Sequence, residues 1–248
     1  MFKLMHEMRV RIISAPAFTG SKVIAAILFE AAMDGLANGE SVPSYLWEDH
    51  GVVPFVKVDK GLEPEKDGVS LMRPIPALGV LLDRAVKLGV FGTKMRSVIN
   101  LPSRSGIAAI AAQQFEIAAQ IAEHDLMAII EPEALIKSPD KKGAEAILLA
   151  ELTKQLDELP GDRQVMLKLT IPDVPDLSAP LMKHDRVARV VALSGGYGRT
   201  QVSPREQVDG ESPNRDFSNS TITSCIWFIC RGSARESIFN LVIWLAAR

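Results

Sequence analysis

The stretch QVMLKLTIPDVP, residues 164–175, decides the fold, because it combines the pattern of a buried β-strand with a central lysine. Alternate residues of a strand share a face. One face is apolar and suited to packing beneath helices: Val165, Leu167, Leu169 and Ile171. Lys168 points the other way, together with Met166 and Thr170. An ammonium group in apolar surroundings loses its hydration, so this lysine needs compensating neighbours or a chemical role.

The chain from Lys22 to Leu193 alternates short strand patterns with longer amphipathic segments. The other strand candidates are KVIAAILF (22–29), GVVPFVKVD (51–59), GVFGTKMR (89–96), LMAIIEPE (126–133) and RVARVVALS (186–194). Helical patterns cover residues 75–89, 107–125 and 143–159. Strands separated by helices at this spacing predict βαβ units and a parallel sheet. Six such units fit either a doubly wound sheet or most of a (β/α)8 barrel.

Charged side chains recur at a spacing of two near the ends of several strands. The pairs are Lys57 with Asp59, Lys94 with Arg96, and Glu131 with Glu133. In a barrel this face is the interior, and active sites lie at its C-terminal mouth. A doubly wound sheet would bury the same charges beneath helices. We therefore predict an α/β fold of the (β/α)8 TIM-barrel type.

These charges admit a plain interpretation and a chemical one. A lysine or arginine at a strand end is commonly solvated or salt-bridged, and Glu131 and Glu133 could merely neutralise Lys94 or Arg96. In a desolvated cationic cluster, however, a lysine can act as a nucleophilic amine and form a Schiff base with a carbonyl. A nearby carboxyl group can carry the protons that this reaction requires. The surrounding cations suit a phosphorylated, anionic substrate.

The segment LSGGYGR, residues 193–199, follows the last strand candidate. Backbone N–H groups of Ser194, Gly195 and Gly196 could bind a phosphate, as late-strand loops of barrels do. A Gly-Gly turn after a strand is also routine. The glycine spacing does not match a dinucleotide-binding loop.

Composition excludes several other classes of protein. The net charge of −2 gives no support to a nucleic-acid or membrane-surface partner. Cys225 and Cys230 are too few for a disulfide framework, and the four histidines are scattered, so we expect no metal. No apolar run reaches the roughly 20 residues of a membrane span, and residues 1–12 do not read as a secretory signal. We expect a cytoplasmic location.

Five ordered motifs resemble class I fructose-1,6-bisphosphate aldolases: KVDKG, FGTKMR, IIEPE, MLKLTIP and LSGGY. The bacterial branch is more similar, through HEMRVRI, AAILFEAAMDG and GVVPFVKVDKGL. The resemblance covers roughly residues 1–197. It implies a metal-independent lyase of glycolysis and gluconeogenesis that reversibly cleaves fructose 1,6-bisphosphate to dihydroxyacetone phosphate and glyceraldehyde 3-phosphate. It needs no cofactor beyond the covalent Schiff base, and a homo-oligomer is left open.

The resemblance also implies roles for individual residues. Lys168 matches the Schiff-base lysine, Glu131 the general acid/base, and Glu133 a supporting carboxylate. Lys94 matches a residue that stabilises charge. The resemblance implies substrate binding at four positions: Lys57, Arg96 near the 6-phosphate, and Ser194 and Gly195 in the 1-phosphate loop.

The sequence departs from the family pattern at both ends. Strands 2–7 of the barrel are recognisable, whereas the first strand is missing, and the eighth, with its phosphate-binding arginine, is replaced. We expect a partial barrel at residues 1–199 and a poorly structured tail unrelated to the family at residues 200–248. We interpret the chain as an N-terminally truncated gene product whose reading frame shifts near Gly198 to Thr200. We therefore expect little or no turnover. The alternatives are another Schiff-base sugar-phosphate aldolase, or a non-catalytic relic or scaffold.

Overall fold

The computed structural model describes residues 2–193 and 242–244. The strands are β1 (Ala25–Leu28), β2 (Leu36–Ala37), β3 (Glu40–Ser41), β4 (Val53–Lys57), β5 (Val69–Ser70), β6 (Gly92–Ile99), β7 (Met127–Ala134), β8 (Val165–Thr170), β9 (Val187–Leu193) and β10 (Val242–Trp244). The helices are α1 (Phe2–Ile13), α2 (Glu30–Met33), α3 (Val42–Ser44), α4 (Leu78–Lys87), α5 (Arg104–Ala122), α6 (Lys141–Asp157) and α7 (Ala179–Met182), with a π-helical turn at Tyr45–Asp49.

The main sheet is parallel and follows the chain in the order β10-β1-β4-β6-β7-β8-β9. Apart from β10, each of its strands overlaps one of the six strand candidates, with β6 and β7 extending beyond theirs, and α4, α5 and α6 overlap the three predicted helices. The sheet thus contains six consecutive parallel strands of a barrel, and the predicted incomplete (β/α)8 fold is confirmed. β5 pairs antiparallel with the end of β6, and β2 forms a separate hairpin with β3.

The two faces of the sheet differ in the way that strand alternation predicts. Val165, Leu167 and Leu169 of β8 belong to a large apolar core that includes buried apolar side chains of α4, α5 and α6. Burying such side chains stabilises the fold by about 1.5–3 kcal/mol each. This core therefore holds the helices against the outer face of the sheet.

The opposite face begins with a small apolar layer near the N-terminal ends of the strands. It contains Ala25, Ile27, Phe55 and Ile129, with Met166 packed against them. A Cβ at Gly92 would lie 2.3 Å from the Met127 carbonyl oxygen and 2.7 Å from the Phe55 ring, so glycine is required for this packing. Phe55, Ile129 and Met166 each precede a charged inner-face residue by two positions, so the charges lie directly above this layer.

The prediction for residues 200–248 lies outside the described residues except at β10. This strand pairs in parallel with β1, with Ala25 opposite Val242 and Ile27 opposite Trp244. The tail thus supplies a strand that pairs with β1 at the edge of the sheet. Within the described ranges, none of the helices combines the length and the hydropathy that a bilayer-spanning segment needs.

Deletion of residues 242–248 should promote self-association of the chain. The deletion removes β10 and leaves the N–H and C=O groups of β1 unpaired along that edge, where a second chain can pair. Light scattering after size-exclusion chromatography should show a larger mass than for the full chain. Deletion of residues 246–248 leaves β10 in place and is the matched control. Equal masses for the two deletions would mean that β10 does not protect the edge.

Candidate active site

The centre of the site is a buried carboxylate between two lysines. Glu131 on β7 accepts a hydrogen bond from Nζ of Lys168 on β8, with 2.8 Å between Nζ and Oε1. Its other oxygen, Oε2, lies 2.9 Å from Nζ of Lys94 on β6. Glu131 and Lys94 are fully buried and Lys168 is 6% exposed. The hydrogen bond to Glu131 compensates Lys168, in the middle of β8, for the hydration that its ammonium group loses on burial.

Strand register explains why these three residues meet. Arg96 is opposite Glu131 in the β6–β7 pair, and Lys94 is opposite Ile129, one inner-face position lower. Ile130 is opposite Leu167 in the β7–β8 pair, so the next residues along, Glu131 and Lys168, lie side by side. Because all three belong to central, parallel-paired strands, their backbone positions are fixed before any substrate binds.

A second carboxylate extends the cluster toward β4. Asp59 is buried and forms an ion pair with Lys57, whose Nζ also donates to the Asp59 carbonyl oxygen at 2.8 Å. Asp59 Oδ2 lies 3.9 Å from Lys94 Nζ. The Lys57 Nζ also lies 5.7 Å from the centre of the Phe29 ring, within range of a cation–π contact. Lys94 therefore stands between two carboxylates.

Arg96 and Glu133 lie nearer the mouth of the barrel and pair with each other. The side chain of Arg96 is 31% exposed and that of Glu133 is 13% exposed, so this pair is in contact with solvent. The interpretation that Glu133 neutralises Arg96 is thus correct as a statement of geometry. The guanidinium group of Arg96 nevertheless keeps an exposed edge.

Burial and charge shift the pKa of two members of the cluster. Burial lowers the pKa of Lys94, although Glu131 and Asp59 partly offset this effect. Burial by itself raises the pKa of Glu131, but the charges of Lys94 and Lys168 outweigh it, so the pKa of this carboxyl is lowered. Glu131 is therefore held as a carboxylate between two lysines, and burial disfavours the ammonium form of Lys94.

The structure brings together six of the eight site residues predicted from sequence: Lys57, Lys94, Arg96, Glu131, Glu133 and Lys168. The remaining two, Ser194 and Gly195, lie outside the described residues. The roles of all eight remain predictions.

The histidines of the chain lie away from this cluster. His6 is on α1, and the other three follow helical segments: His50, His124 and His184. Among residues 2–193, no group of three or more His, Cys, Asp or Glu side chains is arranged to hold a metal ion.

Two members of the neighbourhood were not predicted as site residues. Asp59 was recognised as a charged strand-end residue, and its spacing of two from Lys57 was the available signal. Phe29 follows Ala25 and Ile27 at a spacing of two, so strand alternation places it on the inner face. The spacing of charged residues gives no signal for it, because its side chain is apolar.

Comparison with known proteins gives close relatives along most of the chain. The chain is 50% identical over 205 residues to the fructose-bisphosphate aldolase class 1 of Synechocystis sp., which covers 83% of this chain and 68% of that protein. It is 49% identical over 203 residues to the fructose-bisphosphate aldolase class 1 of Porphyromonas gingivalis, which covers 82% of this chain and 69% of that protein. No protein-family model matches the chain.

A solved structure resembles the fold at lower sequence identity. It is a ternary co-crystal structure of fructose-bisphosphate aldolase from Plasmodium falciparum in complex with TRAP and a small-molecule inhibitor. The TM-score is 0.57 at 23% identity, and the match covers 72% of this chain and 60% of that chain. The chain thus spans about two thirds of the length of its curated relatives and less of this solved structure.

Proposed function

Because the chain belongs to the class I fructose-bisphosphate aldolase family, whose members are lyases, we propose that Lys168 forms a Schiff base with C2 of fructose 1,6-bisphosphate. The observation that carries the proposal is the hydrogen bond of 2.8 Å between Lys168 Nζ and Glu131 Oε1. An amine and a carboxylate at hydrogen-bond distance in a buried site are what Schiff-base formation needs as nucleophile and proton carrier, and this supports the proposal.

Glu131 manages the protons of Schiff-base formation. Its carboxylate accepts the proton of the Lys168 ammonium group, and the free amine attacks C2 to give a carbinolamine. The same carboxyl returns the proton to the hydroxyl group at C2, which leaves as water. Lys94, on the other side of Glu131, compensates the carboxylate whenever it is ionised. Two lysines on one carboxylate thus allow its charge to change during the reaction.

The iminium ion at C2 then drives carbon–carbon cleavage. Its positive charge attracts the electrons of the C3–C4 bond when the C4 hydroxyl loses a proton, and glyceraldehyde 3-phosphate leaves. The enamine left on Lys168 takes up a proton at C3, which balances the proton lost from the C4 hydroxyl. Water then hydrolyses the resulting iminium, which releases dihydroxyacetone phosphate and the free amine of Lys168. The reaction requires no metal ion and no cofactor besides this covalent bond.

The cations around the cluster would bind the phosphorylated ends of the sugar. Arg96 is exposed enough at the mouth to reach the 6-phosphate, and Lys57 lies deeper on the same side. Ser194 and Gly195 are proposed for the 1-phosphate. Charge-assisted hydrogen bonds from lysine and arginine to phosphate are strong and would orient C2 toward Lys168.

Borohydride trapping with dihydroxyacetone phosphate tests the proposal. The hydride reduces the iminium to a stable secondary amine, and peptide mass mapping should place the adduct on Lys168. Other ketose phosphates, trapped in parallel, distinguish fructose 1,6-bisphosphate chemistry from that of another sugar-phosphate aldolase. A chain that is folded by circular dichroism yet carries no adduct on Lys168 would favour the non-catalytic alternative and overturn the proposal.

A further inference from the structure

A buried lysine outside the cluster fixes the chain where it leaves β8. Lys141 is the first residue of α6 and is 5% exposed. Its Nζ donates to the Ile171 carbonyl oxygen at 2.8 Å, to Asp173 Oδ1 at 2.9 Å and to Glu145 Oε1 at 2.5 Å. Glu145 in turn accepts from the backbone N–H of Asp173 at 3.0 Å. These contacts join α6 to the segment that follows β8.

The position of Lys141 is unfavourable for the helix that contains it. The N-terminus of a helix carries partial positive charge and favours acidic residues, but the first turn of α6 contains none. Burying an ammonium group also costs free energy unless it is paired. The Asp140 carboxylate at the N-cap, which accepts from the Gly143 N–H at 2.9 Å, offsets part of the first cost. The contacts to Glu145 and to residues 171–173 offset the cost of burial. The contacts of Lys141 to Ile171 and Asp173 therefore account for a buried lysine at this position.

The segment it holds begins three residues after Lys168. Thr170, the last residue of β8, donates from Oγ1 to the Ala134 carbonyl oxygen at the end of β7, at 2.9 Å. Lys141 then secures Ile171 and Asp173 to α6. The C-terminal ends of β7 and β8, which carry Glu131 and Lys168, are thus fixed to each other and to one helix.

We propose that Lys141 is a positioning residue of the Schiff-base site, which keeps Lys168 in register with Glu131 by fixing the end of β8. The expected effect of Lys141 on the rate of adduct formation rests on the proposed function. A displacement of about 1 Å at a reacting group can lower a rate by about 100-fold. Loss of these contacts of Lys141 should therefore slow adduct formation without weakening ligand binding, because the residues proposed to bind phosphate lie on other strands and in the loop after β9.

The first experiment compares Lys141→Met with Lys154→Met, a matched control at an exposed position of the same helix. Trapping is measured against the concentration of dihydroxyacetone phosphate. For Lys141→Met we expect the maximal rate to fall by about 10-fold or more, with a half-saturation concentration changed by less than about twofold. Lys154→Met should match the wild type. An unchanged maximal rate in a folded Lys141→Met variant would overturn the proposal.

A second experiment does not depend on the sugar chemistry. Formaldehyde condenses with an amine to an iminium and releases water, and cyanoborohydride reduces it to a methylamine. Loosening the end of β8 should admit the reagent, so Lys168 should be methylated at least about threefold faster in Lys141→Met than in Lys154→Met. Hydrogen exchange of residues 171–178 should accelerate in the same variant. If the wild type forms no sugar adduct but these two changes occur, the proposed function fails and the positioning role stands.

A milder variant covers the case in which Lys141→Met does not fold. Asp173→Asn removes one charged partner of Lys141, at a side chain that is 41% exposed. It should show the same changes at reduced size in both experiments. Lys141→Met could fail to fold while Asp173→Asn shows the methylation and exchange rates of the wild type. Lys141 would then contribute to stability alone, and the proposal would be overturned.

Discussion

Replacement of Glu131 by glutamine should slow formation of the borohydride-trapped adduct on Lys168 by about 10²–10⁴-fold. The amide has nearly the same shape as the carboxyl group but neither accepts the Lys168 proton nor returns it to the leaving hydroxyl. Lys168 Nζ lies 2.8 Å from Glu131 Oε1, so this proton has a direct path in the wild type. The measurement is the rate of adduct formation by mass spectrometry at saturating dihydroxyacetone phosphate.

The same variant should also lose stability, because it unbalances a buried cluster. Three lysines and two carboxylates meet on the inner face, namely Lys57, Lys94, Lys168, Asp59 and Glu131. When all are ionised, the cluster carries one excess positive charge, and Glu131→Gln makes this two. Removing one partner of a buried ion pair costs about 3–5 kcal/mol, which urea unfolding should detect.

Glu133→Gln is the matched control for Glu131→Gln. Glu133 lies two residues further along the same strand and pairs with the partly exposed Arg96. Its loss should lower stability by about 1 kcal/mol or less and leave the rate of adduct formation within about tenfold of the wild type. If Glu131→Gln forms the adduct as fast as Glu133→Gln when both are folded, Glu131 is not the proton carrier.

The sequence predicted the inner face well, because strand alternation alone determines it. Once β6, β7 and β8 are recognised, a spacing of two puts Lys94, Glu131 and Lys168 on the face opposite their aliphatic neighbours. The order of parallel strands follows from the βαβ connections. The six parallel strands and their charged ends could therefore be predicted from the sequence.

The pairing within the cluster could not be predicted in the same way. Which lysine contacts which oxygen of Glu131 depends on strand register and side-chain rotamers, and neither is encoded by periodicity. Lys141 is a sharper case: a lysine at a helix start resembles a solvated surface residue, and its burial depends on the path of residues 171–173. The pairing of β10 with β1 likewise joins residues more than 200 positions apart, without a local signal.

Replacement of Lys94 by methionine should cost far less stability at neutral pH than Glu131→Gln does. It removes the excess positive charge of the cluster, and each carboxylate keeps one lysine: Asp59 keeps Lys57, and Glu131 keeps Lys168. Apolar replacement of a buried charge in a cluster that stays paired is often close to neutral, so we expect a loss of about 1 kcal/mol or less. Urea unfolding of both variants at pH 7 gives the comparison.

The pH dependence of the same variant distinguishes this explanation from simple repacking. The pKa of Lys94 is lowered in the folded protein, mainly by burial, whereas the unfolded chain has a value of about 10.4. Between the folded and the unfolded pKa, the unfolded chain binds a proton that the folded protein has lost, so the free energy of unfolding rises with pH. The wild type should therefore gain stability relative to Lys94→Met as the pH is raised from 7 toward about 10. The gain is about 1.4 kcal/mol for each unit by which folding lowers the pKa of Lys94. Lys154→Met, at an exposed position, should follow the wild type throughout. The stability difference between the wild type and Lys94→Met could instead stay constant with pH. That result would mean that folding does not lower the pKa of Lys94.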